Sequence, residues 1–162
     1  MRWAKLTMIA VFLTVTGMPS WAQEKQSSEA VNYNEYFATK TARKAKQNWM
    51  LNCQGCHAID GSGRPEKGLP DLNRSVANFL NVEGGREYLS RVPGVTNASL
   101  DDADLAEVIN WVLIKFDPEH LPKDFTHYTA AEVAGLRGKP LATQAEATRN
   151  ILLAKLAKKE RQ

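Results

Sequence analysis

Apolar residues recur along this chain at helical spacing, and no stretch holds the two-residue period of a half-buried strand. The clearest run is Leu105, Val108, Ile109, Val112, Leu113 and Phe116, a single apolar face that ends before Pro118. Ser99, followed by Asp102 three residues on, predicts its N-cap, and Asp101, Asp102 and Asp104 suit the positive end of its dipole. Upstream, Ala42, Ala45 and Trp49 share a face, with Arg43, Lys44 and Lys46 between them, so residues 39–52 are predicted to form a helix running straight into Cys53. Short helices are predicted over residues 75–81 and 85–91, the second closed by Pro93 and Gly94. Residues 60–71 are rich in Gly, Pro and charge and read as loop. Beyond Pro118, Thr129 with Glu132 and Thr143 with Glu146 have the spacing of capping boxes. They predict a short helix to Gly138 and a longer one with the stripe Leu152, Leu153, Leu156 and a basic end at Lys158, Lys159 and Arg161. The fold class is therefore all-α: a domain of three to five helices over residues 39–117 with a helical extension over 118–162.

The N-terminus follows a different grammar. Arg2 and Lys5 precede the apolar run 6–15, which Gly17, Met18 and Pro19 break before Ser20, Trp21 and Ala22. This is the pattern of a secretory signal peptide over residues 1–22, and the run is too short to span a membrane. Residues 23–38 read as a polar leader. Losing Arg2 and Lys5 takes the formal net charge from +3 to +1, spread along the chain, so no nucleic-acid footprint is indicated. Export implies the periplasm or its equivalent, where free thiols rarely persist unless something holds them.

The chain has two cysteines, and both lie in Cys53, Gln54, Gly55, Cys56, His57. C-x-x-C-H is the signature of covalent haem attachment: two thiols one turn apart can add to two vinyl groups of one porphyrin, and the adjacent imidazole can ligate the iron. A thioredoxin-type redox pair calls for a strand before the motif, a zinc site for further Cys or His beyond His120 and His127, and a Cys53–Cys56 disulfide is the plainest alternative.

With these residues the chain resembles the small single-haem cytochromes c of class I over about residues 39–116. Trp49 stands four residues before Cys53, and Ala45 eight before it takes the place usually held by Gly. Val108, Ile109, Asn110 and Trp111 match the face of the family's last helix, with Trp111 packing near the haem. Pro70 and Leu72 look like the family's P-x-L. The resemblance implies one covalent haem c on Cys53 and Cys56, His57 as proximal ligand, and the Pro70 carbonyl accepting the hydrogen bond of the haem His. The implied role is single-electron transfer between periplasmic redox proteins, such as a dehydrogenase or a terminal oxidase, by a monomer or a subunit of a small complex with no stable membrane span.

One feature departs from the family. The opposite axial ligand is usually a Met in the loop before the last helix, but residues 92–98 contain none. Met1, Met8 and Met18 belong to the signal peptide, and Met50 lies three residues before Cys53 on the proximal helix. The sixth ligand is left open among His120, His127, Asn97 and a vacant or water-filled site. An open position would suit small-ligand binding or peroxide reduction, and the extension would alternatively serve a haem subunit of a periplasmic dehydrogenase by gripping its partner.

Overall fold

The computed structural model describes residues 33–162, which belong to one compact unit. The signal peptide and most of the leader lie outside the described residues. Eight α-helices follow in order among the described residues: α1 (Tyr33–Ala38), α2 (Lys40–Asn52), α3 (Gln54–His57), α4 (Gly85–Arg91), α5 (Pro93–Thr96), α6 (Asp102–Phe116), α7 (Ala130–Arg137) and α8 (Ala145–Lys159). Single 3-10 turns at Pro65–Lys67, Ala77–Asn81, Pro118–His120 and Ala142–Gln144 join them. The all-α class is as the spacing predicted.

Helix α2 begins where its sequence says it should, because the Thr39 hydroxyl accepts from the Ala42 amide at 3.1 Å and satisfies one of the open N-terminal donors. It buries Ala42, Ala45 and Trp49 and packs against α6. Lys44 crosses the contact to Asp104 at 2.6 Å.

Several expectations are corrected. The last six residues of the polar leader form α1, whose Tyr36 and Phe37 pack edge-on to one another, and Phe37 reaches Trp111. Helix α6 starts later than the Ser99 cap implies: Asp101 is the N-cap, accepting from the Asp104 amide at 2.7 Å. The Asp102 carboxylate and the Leu100 carbonyl are instead taken by Arg137. The box at Thr143 and Glu146 does not form, because a 3-10 turn carries the chain into α8 from Gln144 without a side-chain cap. Of the α8 stripe, Leu152 and Leu156 are buried while Leu153 is exposed. Residues 75–81 shorten to the 3-10 turn, and residues 92–98 are not all loop but contain α5.

The predicted face of α6 is buried except at half-buried Val112, and Ala106, Asn110, Trp111 and Ile114 are buried too, because the helix is covered from two sides. One cover is α2. The other is the extension, whose α7 caps on Thr129 as predicted and lies along α6, while α8 packs on α4 and the 77–81 turn. Asn110, with no exposed surface, donates to the Tyr128 carbonyl at 3.1 Å and accepts from the Tyr128 amide at 2.7 Å. Arg86 of α4 reaches over to Glu132 at 2.6 and 2.8 Å, to the Thr126 and His127 carbonyls, and over the Tyr128 ring. Glu132 therefore spends its carboxylate on Arg86. Gly85 lets the start of α4 lie against the 77–81 turn, since a Cβ there would run into the Phe79 carbonyl.

Candidate functional site

The C-x-x-C-H residues sit where α2 breaks. The Cys53 amide still closes the helix onto the Trp49 carbonyl at 2.9 Å, and the backbone then turns. Both Cys56 and His57 bond back to the Cys53 carbonyl at 3.1 Å, so α3 is one tight turn carrying both thiols and the imidazole. Cys53 is half-buried, Cys56 exposed, and neither is in a disulfide. Burial, helped by the neighbouring thiol, pushes Cys53 up to about 11. That is the reverse of what the attacking thiol of a disulfide-exchange site needs. Among the described residues no three His, Cys, Asp or Glu side chains converge as a metal cage.

The loop after the motif is folded back onto His57. The Gly63 amide donates to the His57 carbonyl at 2.9 Å, the Leu72 amide to the Gly61 carbonyl at 2.9 Å, and Arg64 and Leu69 exchange bonds of 2.8 and 3.1 Å. Gly63 has a positive φ of 68°, and a Cβ there would meet the carbonyls of Leu69 and Pro70. Only glycine lets that strand of loop lie so close. The result brings the Pro70 carbonyl to the imidazole. Burial lowers the His57 pKa, the Pro70 carbonyl partly opposes it, and Nδ1 is buried without closing a hydrogen bond of ordinary geometry.

Behind the imidazole stands an aromatic cluster. Trp49 lies 5.9 Å from the His57 ring, 6.0 Å from Trp111 and 5.1 Å from Phe116, and the Phe116 ring backs onto Gly61. Trp111 is thus brought to the site through Trp49. Four buried polar atoms lacking a partner, Asn48 Nδ2, Trp49 Nε1, Gln54 Oε1 and His57 Nδ1, fall in this short stretch. Native interiors rarely leave such atoms unpaired. Two thiols and a neutral imidazole on one turn, beside an apolar aromatic wall and orphaned polar atoms, fit a haem held by Cys53, Cys56 and His57.

The remaining candidates are placed elsewhere. His120 Nδ1 lies 2.6 Å from Asp117 Oδ1, and Asp117, fully buried, also accepts from the Ala77 and Asn78 amides at 2.8 and 3.2 Å. Desolvation pushes the Asp117 carboxyl up, against the pull of these three donors. His127 is exposed, its ring 5.7 Å from Tyr36 and 5.5 Å from Phe125. Asn97 is exposed at the end of α5, and Met50 is exposed on α2. Neither histidine ring touches His57 in the contacts among the described residues. Sequence reasoning missed Asp117, whose buried carboxylate joins residues 40 apart in the chain and leaves no local signal.

Helices of this order, a Cys–Cys–His turn at the break in the first long one, and a proline carbonyl folded onto the histidine define a c-type cytochrome. The comparisons agree. The chain is 36% identical over 110 aligned positions to "Cytochrome c-552" of Thermus thermophilus, covering 57% of this chain and 83% of that relative. A second cytochrome c-552, from a designated strain of the same species, matches at the same identity over 74% of its length. No family model matches the chain, and no solved structure matches it. The chain belongs to the c-type cytochromes and is homologous to cytochrome c-552.

Proposed function

We propose that the chain is an exported single-electron carrier holding one haem c through thioether bonds to Cys53 and Cys56 and through iron coordination by His57. The observation that carries this reading is the His57 imidazole, one turn from Cys53 and facing the Pro70 carbonyl. Haem c, when bound, supplies the one-electron couple. The protein's part is ligation, orientation and exclusion of water. Burial keeps His57 neutral, and with its proton on Nδ1 toward Pro70 the ring presents the Nε2 lone pair. Trp49, Trp111 and Phe116 supply the low-dielectric wall.

Periplasmic location rests on the signal-peptide pattern of residues 1–22, and Gln23 is the expected N-terminus of the exported protein. Among the described residues no helix is long and apolar enough to cross a membrane. The partners are redox proteins of that compartment, such as a dehydrogenase or a terminal oxidase. Of Arg43, Lys44 and Lys46 on α2, Lys44 is paired with Asp104 and Arg43 with the Ala38 carbonyl, which leaves Lys46 for a partner. The packing of the extension on α4 and α6 favours a self-contained carrier over a haem subunit gripped through that extension.

A second reading concerns the sixth axial position, which the family resemblance assigns to residues 92–98. His120 is held by Asp117 and His127 lies against Tyr36 and Phe125, an arrangement that favours an open or water-filled position over bis-His ligation. Iron held there with that position open would bind small ligands and have a lower potential than His/Met iron. Intact mass and visible spectra test both readings. One haem adduct lost in Cys53→Ala/Cys56→Ala, no Met-to-iron band when oxidised, and carbon monoxide binding when reduced are expected. An unmodified mass after co-expression with a haem-attachment system overturns the first reading, and a reduced protein inert to carbon monoxide overturns the second.

A further inference from the structure

The last residue of α7 does more than end a helix. The Arg137 side chain, only 19% exposed, turns its guanidinium into the segment between α5 and α6. It donates from Nη1 to the Leu100 carbonyl at 2.8 Å and to Asp102 Oδ1 at 3.1 Å, and from Nη2 to the Ala98 carbonyl at 2.9 Å and the Thr96 carbonyl at 3.4 Å. One planar fork thus satisfies three successive alternate carbonyls and the first carboxylate of α6. A lysine, with a single nitrogen, has no such fork to match these acceptors. The same stretch is tied again at its start, where the Leu141 amide donates to the Arg91 carbonyl at 2.9 Å and Arg91 Nε donates to the Lys139 carbonyl at 2.6 Å. Val92, Val95, Ala98 and Leu100, all in this stretch, pack their apolar sides onto the core. Every tie comes from the extension.

We infer that Arg137 is a positioning residue for the sixth-ligand side of the haem site, holding residues 96–102 in one conformation so that the extension forms part of that site's wall. This rests on the reading that residues 92–98 face the sixth position. A clamped wall sets what the iron meets on that side: the carbonyls that would otherwise seek water or a metal are occupied, and the apolar side chains are held toward the core. The acceptors run from residue 96 to residue 102, so the clamp fixes both the approach to α6 and its first turn.

The test uses the full-length holoprotein and Arg137→Ala. Amide hydrogen exchange is expected to speed by about tenfold or more at residues 95–101, with α2 and α8 unchanged, because the loss is a local opening. Carbon monoxide association with the reduced protein is expected to change by about threefold or more, while the haem stays covalently attached, since the wall and not the attachment is altered. Asp102→Asn, which keeps the three carbonyl contacts, is expected to behave as the unsubstituted protein in both measurements. Unchanged exchange at residues 95–101 overturns the clamp. Equal deprotection of α7, α8 and residues 95–101 shows a merely structural role and also overturns it. Faster exchange at residues 95–101 with unaltered carbon monoxide kinetics overturns the assignment of this segment to the haem wall. If the unsubstituted reduced protein binds no carbon monoxide, the open-position reading is what fails, and the exchange measurement still decides the clamp.

Discussion

Replacing Asn110 with Ala removes both hydrogen bonds that fasten the Tyr128 backbone to α6. The Asn110 side chain and Tyr128 are buried, so the stranded N–H and C=O of Tyr128 have no water to turn to. Each buried polar group left without a partner costs about 1–3 kcal/mol, which puts the loss at about 2–6 kcal/mol before relaxation, with backbone movement favouring the lower half. That is a large share of the ~5–15 kcal/mol by which a domain of ordinary size is stable. The damage should begin at the start of the extension, where Tyr128 leads into α7, and leave α2 and the Cys53–His57 turn intact. Urea unfolding of the holoprotein followed by far-ultraviolet circular dichroism gives the magnitude, and limited proteolysis read by mass gives the place. Asn110→Asp is the sharper comparison: it keeps an acceptor for the Tyr128 amide but turns an anionic oxygen toward the Tyr128 carbonyl, and is expected to be at least as damaging. A loss below about 1 kcal/mol for Asn110→Ala, or cleavage in α2 before the extension, would refute the reasoning.

Arg86→Ala is expected to cost about 2–4 kcal/mol, because Glu132 and the Thr126 and His127 carbonyls lose their donor together; Glu132→Gln should cost less, and a double-mutant cycle in urea measures the coupling. Gly63→Ala forces a non-glycine residue into positive φ and a Cβ against the Leu69 and Pro70 carbonyls, so a drop of at least about 1–2 kcal/mol in thermal melts is expected, and an unchanged melting point contradicts the close approach. Burial raises Tyr36 from 10 to about 12 and moves Tyr88 and Tyr128 the same way, so between these values the native state holds protons that the unfolded state releases. Stability should therefore be full below pH 10 and fall as the pH rises toward 12, less steeply in Tyr36→Phe, with tyrosinate absorbance rising together with unfolding.

What the sequence made legible was local. The α2 face, the Thr129 cap, the Gly85–Arg91 helix and the Cys53–His57 turn each depend on residues within a few positions of one another, where spacing alone carries the geometry. Pro70 could be connected to His57 only through the family resemblance, and the physical cause, Gly63 pressed against the 69–70 carbonyls, emerges from the folded loop. The Ser99 cap failed for a long-range reason. Nothing near Ser99 announces that Arg137 competes for Leu100 and Asp102 from 35 or more residues away. The sixth ligand was open for the same kind of reason, because whether His120 or His127 is available depends on what else holds each ring, and Asp117 and Tyr36 hold them by tertiary contact.

The burial of α6 on a second side explains why this c-type cytochrome carries so many residues after the helix that matches the family's last. A helix with one apolar face needs only α2, but Ala106, Asn110 and Ile114 are buried as well, and Asn110 in particular would be an unsatisfied amide without Tyr128. The extension is thus required by the chemistry of α6 itself, and α6 in turn presents Trp111 and Phe116 to Trp49 beside His57. Removing residues 118–162 would uncover Ala106, Asn110 and Ile114 and leave the Thr96, Ala98 and Leu100 carbonyls without Arg137. Loss at the haem wall is expected to accompany loss of the extension, and a truncated protein that kept both its stability and its carbon monoxide kinetics would mean that the two parts are energetically separate after all.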